Sequence, residues 1–164
     1  MSSIDTFLIR KANAAVRQLK AKKSTVVTAE SCTAGLIAAC LARGKGAGDV
    51  LEGGFVTYSK AQKHKALGVP KSLLAANSVT TKVAEAMAKG ALRSSKADIA
   101  LSVTGVLGPA CDEDGNPVGR VFICCLRRGQ SPLSARMDYG RMPHDKMRRE
   151  VVIEALKLLA SAVE

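Results

Sequence analysis

Residues 25–41 read TVVTAESCTAGLIAACL, and the change of pattern within them indicates the fold class. The β-branched run at residues 25–28 predicts a strand, and the apolar stretch at residues 36–41 predicts a helix. The small and hydroxyl-bearing residues at 29–35 predict a tight turn between them. A strand, a tight turn and a helix in immediate succession are typical of α/β proteins.

The rest of the chain continues this alternation. The first helix is predicted from apolar residues at spacings of three and four, namely Ile4, Phe7, Leu8, Ala12, Ala15 and Leu19. Further strands are predicted at residues 54–58, 99–103, 121–126 and 132–139, and further helices at residues 60–67, 80–92 and 145–162. Residues 43–48 and 108–119 have the glycines and prolines of loops. We predict one α/β domain over residues 1–164, a three-layer sandwich with a mixed sheet and helices on both faces.

The composition limits the kinds of partner and the cellular compartment that we expect for this protein. No apolar run approaches the length of a membrane helix and the N-terminus lacks a signal-peptide pattern, so we expect a cytoplasmic protein with no membrane partner. The five cysteines include no CxxC pair and the two histidines lack a metal-ligand spacing, which predicts reduced thiols, no metal and no cofactor. Cys124 and Cys125 should point to opposite faces of their strand.

The formal net charge of +11 permits a polyanionic partner or a small phosphorylated substrate. The basic residues are spread over residues 10–23, 60–65 and 141–149, without the interleaved aromatic side chains that stack on bases. This distribution argues against a nucleic-acid partner and favours solvated helix faces. Because small domains of this class commonly self-associate, we expect a homo-oligomer.

Ser31 is the first candidate for chemistry. A hydroxyl between a strand and a helix lies where the unpaired N–H groups of the helix can bind an anion or an oxyanion. The pattern is equally compatible with Ser31 or Thr33 serving only as an N-cap. Cys32 ranks below Ser31 as a nucleophile because no histidine is placed to activate it.

A serine nucleophile needs a base, and neither histidine has a triad setting. Tyr58 and Lys63 are the candidates, at the end of a predicted strand and in the helix after it, and a desolvated lysine can act as a base. Alternatively, Tyr58 could cap the sheet and Lys63 could be a solvated residue of its helix. Residues 102–105, SVTG, end another predicted strand, so Thr104 would lie in the same crevice as Ser31 if the two strands are parallel.

These segments resemble the CinA C-terminal domain family. The family signature TAESCTGG is similar to TAESCTAG at residues 28–35, and its GGFVTYSNEAK and LGV blocks are similar to residues 53–63 and 67–69. Its SxTGxxGP and PVGxV blocks are similar to residues 102–109 and 117–121. The resemblance covers roughly the whole chain in order.

The resemblance implies an amidohydrolase that converts nicotinamide mononucleotide and water to nicotinic-acid mononucleotide and ammonia, without metal or cofactor. Ser31 matches the nucleophile, and Tyr58 and Lys63 match the proton-transfer pair, with the base unassigned between them. The substrate-binding residues would be Glu30, Thr33, Ala34, Gly35, Thr104 and Gly105.

Several positions depart from the family pattern. Ala34 replaces a glycine, residues 107–111 form a bulkier loop, and residues 141–146 match the Gly-Asp-Arg motif poorly. These changes leave open a hydrolase of another amide. The net charge of +11 leaves open a second alternative, a non-catalytic binding module related to competence or DNA damage.

Overall fold

The computed structural model describes residues 5–164. In chain order the helices and strands are α1 (Thr6–Ala21), β1 (Val26–Glu30), α2 (Leu36–Ala42), β2 (Leu51–Val56), α3 (Lys60–Leu67), α4 (Lys71–Ala76), α5 (Thr81–Arg93), β3 (Ile99–Gly105), β4 (Arg120–Arg127), β5 (Leu133–Asp138) and α6 (His144–Val163). A short 3-10 helix, Ala47–Asp49, precedes β2.

The five strands form one mixed sheet in the order β2-β1-β3-β4-β5. Strands β2, β1 and β3 are parallel, whereas β4 and β5 run antiparallel to their neighbours. The carboxyl ends of β2, β1 and β3 therefore lie at one edge of the sheet, where open α/β sheets bind ligands.

Helices cover both faces of the sheet. On one face α1, α2 and α6 pack against side chains such as Val26, Leu101 and Ile123. On the other, α3, α4 and α5 pack against side chains such as Val27, Ala100 and Phe122. The predicted α/β three-layer sandwich with a mixed sheet is thus confirmed.

Alternation along β4 places its two cysteines in different cores. Cys125 lies in the core with α1, α2 and α6, and Cys124 lies in the core with α3, α4 and α5. This confirms that the two thiols point to opposite faces, because successive side chains of a strand alternate. All five cysteines are free thiols.

The main differences from the predicted elements lie near the site. Strand β1 extends to Glu30, because Ala29 and Glu30 pair with both neighbouring strands. Strand β2 ends at Val56 rather than residue 58, since Ser59 already caps α3 by accepting from the Gln62 N–H. Helix α4 was not predicted. Ile4 of the predicted first helix lies outside the described residues.

Within residues 5–164, no helix combines the length and the apolar character needed to cross a membrane.

Candidate active site

Ser31 is the first residue after β1, at the carboxyl edge of the sheet. Its backbone N–H donates to the Val103 carbonyl oxygen at 3.1 Å, which ties the turn to the neighbouring strand β3. Its side chain is buried and lines a cavity of about 520 Å³. A cavity of this size is typical of small-molecule sites.

Lys63 brings its amine to the Ser31 hydroxyl from α3, the helix that follows β2. Its Nζ lies 2.9 Å from the Ser31 Oγ and 3.3 Å from the Tyr58 carbonyl oxygen. The side chain is only 3% exposed, which is rare for a lysine. Burial lowers the pKa of Lys63, because desolvation penalises the ammonium form.

Tyr58 contributes to this group through its backbone. Its carbonyl oxygen accepts from Lys63 and lies 3.5 Å from the Ser31 Oγ, at the outer limit of a hydrogen bond. The Tyr58 side chain is 68% exposed and stands at the cavity wall.

Thr104 and Gly105 lie in the wall of the same cavity as Ser31. This follows from the parallel pairing of β1 and β3, which brings the ends of both strands to one edge. The Thr104 hydroxyl donates to the Ser78 carbonyl oxygen at 3.0 Å, so it also fixes the segment before α5. The predicted bulky loop, residues 107–111, forms another part of the wall.

Glu30 is fully buried beneath the turn and its carboxylate serves the start of α2. It accepts from the Gly35 N–H at 3.1 Å, the Ile37 N–H at 3.0 Å and the Ala38 N–H at 2.9 Å. Gly35, the N-cap, has no side chain that could do this. The carboxylate therefore accepts hydrogen bonds from N–H groups at the start of α2 that have no partner within the helix. Its negative charge also interacts favourably with the positive end of the helix dipole.

The turn residues behind Ser31 are not part of the cavity wall. Thr33 is buried and donates to the Glu30 carboxylate at 2.6 Å. Ala34 adopts a left-handed conformation with φ of 50° and is exposed, and Gly35 has φ of 92°. Neither these three residues nor Glu30 lines the cavity, so the geometry gives no support to their predicted substrate-binding role.

Cys32 lies in the cavity wall next to Ser31, but its environment does not favour a thiolate. Burial raises the pKa of the Cys32 thiol to about 12. Within residues 5–164, neither histidine forms a hydrogen bond with Cys32. His64 contacts the Val69 carbonyl oxygen at 2.9 Å, and the His144 Nδ1 lies 3.6 Å from the Asp145 carboxylate.

Hydrogen bonds and ion pairs that the sequence did not predict hold the loop at residues 108–119 in place beside the cavity. Asp114 accepts from the Ser78 N–H at 2.9 Å and from the Lys60 Nζ at 2.7 Å. Glu113 lies 3.1 Å from the same Lys60 Nζ, and hydrogen bonding to Asp114 raises the pKa of Lys60. Lys60 is thus neutralised by the loop. The sequence had predicted only a loop at residues 108–119.

Among residues 5–164, no three His, Cys, Asp or Glu side chains are grouped so that they could hold a metal ion.

Similar proteins have been described. Residues 9–163 match the family model described as the CinA C-terminal domain. A CinA-like protein of Anaeromyxobacter dehalogenans is 39% identical over 149 residues, covering 90% of this chain and 36% of that protein. The chain therefore spans about a third of the length of such curated relatives.

Two solved structures share the whole architecture. The competence/damage inducible protein CihA from Agrobacterium tumefaciens superposes with a TM-score of 0.91 at 35% identity, covering 99% of each chain. A CinA superfamily protein from Escherichia coli superposes with a TM-score of 0.87 at 33% identity, covering 93% of this chain and 88% of that one. With the family model matching nearly its full length, this chain belongs to the CinA C-terminal domain family.

Proposed function

We propose that this protein hydrolyses the carboxamide of nicotinamide mononucleotide, with Ser31 as the nucleophile and Lys63 as the general base. The observation that carries the proposal is the 2.9 Å contact between the Lys63 Nζ and the Ser31 Oγ, both buried at one cavity wall. The substrate identity comes from the family resemblance. The geometry supports the reaction class.

Lys63 is suited to the role of base. A neutral amine can accept the Ser31 proton, and burial lowers the pKa of Lys63 toward the range in which the neutral form is populated. No carboxylate among the described residues forms a salt bridge with Lys63, so no negative charge stabilises its ammonium form at contact distance. The Tyr58 carbonyl oxygen accepts from the amine and so fixes its position.

The first half-reaction forms a covalent ester. Lys63 takes the proton as the Ser31 Oγ attacks the amide carbon, giving a tetrahedral intermediate with negative charge on oxygen. The backbone N–H of Cys32, which follows Ser31 and lies in the cavity wall, is the donor that we assign to that oxyanion. The Lys63 ammonium then donates its proton to the leaving nitrogen, and ammonia departs.

The second half-reaction reverses these roles. Neutral Lys63 takes a proton from water as the water attacks the ester, and the ammonium then returns the proton to the Ser31 Oγ. The product is nicotinic-acid mononucleotide. Both half-reactions use Lys63 as the base and the same oxyanion donor, as in other serine hydrolases that lack a histidine.

The test is ammonia release by the purified protein treated with a chelator. We expect metal-independent release from nicotinamide mononucleotide, and slower release from the riboside and from free nicotinamide. A folded protein that releases no ammonia from the mononucleotide would overturn the proposed reaction. Faster release from another amide would keep the hydrolase and replace its substrate.

A further inference from the structure

A second cavity of about 360 Å³ lies next to the cavity in front of Ser31. The two cavities share four wall residues, which are Leu107, Gly108, Pro109 and His144. The second cavity adds Arg141 to the wall. The second cavity therefore adjoins the first on the side where His144 and Arg141 lie.

The basic side chains near Ser31 are already engaged. Lys63 contacts the Ser31 hydroxyl, and Lys60 is paired with both Glu113 and Asp114. Asp112 and Glu113 also line the main cavity and would repel an anion there. Apart from Lys60 and Lys63, the one basic side chain among the described residues that line the main cavity is that of His144.

The side chains of Arg141 and His144 are exposed and available to a ligand. Arg141 forms no ion pair and no side-chain hydrogen bond within residues 5–164. His144 has one acidic neighbour, Asp145, at 3.6 Å, and that carboxylate also accepts from Arg148 at 3.1 Å. No carboxylate lines the second cavity.

We propose that Arg141 and His144 form a subsite for the phosphate monoester of the substrate. A guanidinium presents paired N–H donors that match phosphate oxygens, and an imidazole N–H adds another donor. The phosphate would lie in the second cavity while the carboxamide reaches Ser31. The proposal rests on the proposed function for the identity of the amide end.

Binding can be measured without turnover in Ser31→Ala protein. We would titrate nicotinamide mononucleotide and its riboside, which lacks the phosphate, by calorimetry into this protein and into versions that also carry Arg141→Ala or His144→Ala. Each second substitution should weaken mononucleotide binding by about tenfold, the effect of one charge-assisted hydrogen bond. Riboside binding should not change.

Lys146→Ala is the matched control, since Lys146 is an exposed cation of α6 that lines neither cavity. It should leave both affinities unchanged. Equal losses for the mononucleotide and the riboside, no loss in either Arg141→Ala or His144→Ala, or an equal loss in Lys146→Ala would overturn the subsite. Failure of the mononucleotide to bind would do so too.

This outcome is separate from that of the proposed reaction. Absence of ammonia release by the wild-type protein would refute the hydrolase, while the binding comparison would still decide the phosphate subsite. Ammonia release with no phosphate discrimination would refute the subsite and leave the hydrolase intact.

Discussion

The Thr33 hydroxyl donates a 2.6 Å hydrogen bond to the Glu30 carboxylate, and neither residue lines the cavity in front of Ser31. Two residues of the TAESCTAG motif at residues 28–35 thus contact each other and do not line the cavity. Their contact, with three backbone N–H groups of the α2 start on the same carboxylate, builds the turn that presents Ser31.

The first prediction concerns Glu30→Gln. The amide keeps the size of the side chain but loses the charge, and its NH2 group faces donors in place of an acceptor. We expect the free energy of unfolding to fall by about 3 kcal/mol in urea denaturation. A Glu30→Gln protein of wild-type stability with a raised KM would instead show that Glu30 binds substrate.

The second prediction tests which side chain, that of Tyr58 or that of Lys63, transfers the proton. Because Tyr58 contacts the reacting group through its carbonyl oxygen, Tyr58→Phe should change kcat by less than about threefold, whereas losing a proton-transfer group costs about a hundredfold or more. Steady-state ammonia release measures the difference. A hundredfold loss in Tyr58→Phe would assign proton transfer to the phenol.

The third prediction is the pH dependence given by Lys63. The active form is the neutral amine, so kcat should rise with pH and level off once Lys63 is deprotonated. Because burial lowers the pKa of Lys63, the plateau should begin at a lower pH than for an ordinary lysine. A kcat that falls with increasing pH as Lys63 is deprotonated would contradict a lysine base.

Lys63→Met supplies the matched variant, since methionine keeps an unbranched apolar stem in a buried position. We expect kcat to fall by about a thousandfold with the fold retained. A Lys63→Met protein with unchanged kcat would remove Lys63 from the chemistry.

The fourth prediction concerns the thiols. Cys111 is exposed at the cavity wall, whereas Cys32, Cys40, Cys124 and Cys125 are buried. Burial raises the pKa of Cys40 and Cys124 to about 11 and that of Cys32 and Cys125 to about 12. A thiol reagent should therefore label one cysteine quickly in the folded protein, and none quickly in Cys111→Ser. Fast labelling of a second cysteine would mean that the cores open readily.

Periodicity predicted most of the fold because the longer elements each bury one regular set of side chains. The α5 stripe is an example: Val83, Ala84, Met87 and Ala91 are all buried as their spacing indicates. Helix α4 was not predicted because six residues are too few to establish a helical period. The end of β2 was misplaced because Ser59, which caps α3, was not recognised as the signal that ends the extended segment.

The site was predicted only in part, for a reason of distance along the chain. Ser31 and Lys63 are 32 residues apart, and the sequence named Lys63 only beside Tyr58 as a candidate base, without choosing between them; the structure brings the Lys63 amine to 2.9 Å from the Ser31 hydroxyl. The role of Glu30 was missed because a carboxylate ahead of a glycine N-cap carries no standard capping pattern. His144 was missed because its position in the wall depends on how α6 packs against the loop at residues 107–109.

The fifth prediction addresses the nucleophile, through two adjacent side chains of the same cavity wall. Ammonia release from nicotinamide mononucleotide would be compared in the wild-type, Ser31→Ala and Cys32→Ala proteins. We expect Ser31→Ala to lose at least about a thousandfold in kcat while Cys32→Ala stays within about tenfold of the wild type. Substantial release by Ser31→Ala, or loss of activity confined to Cys32→Ala, would contradict the assignment of Ser31.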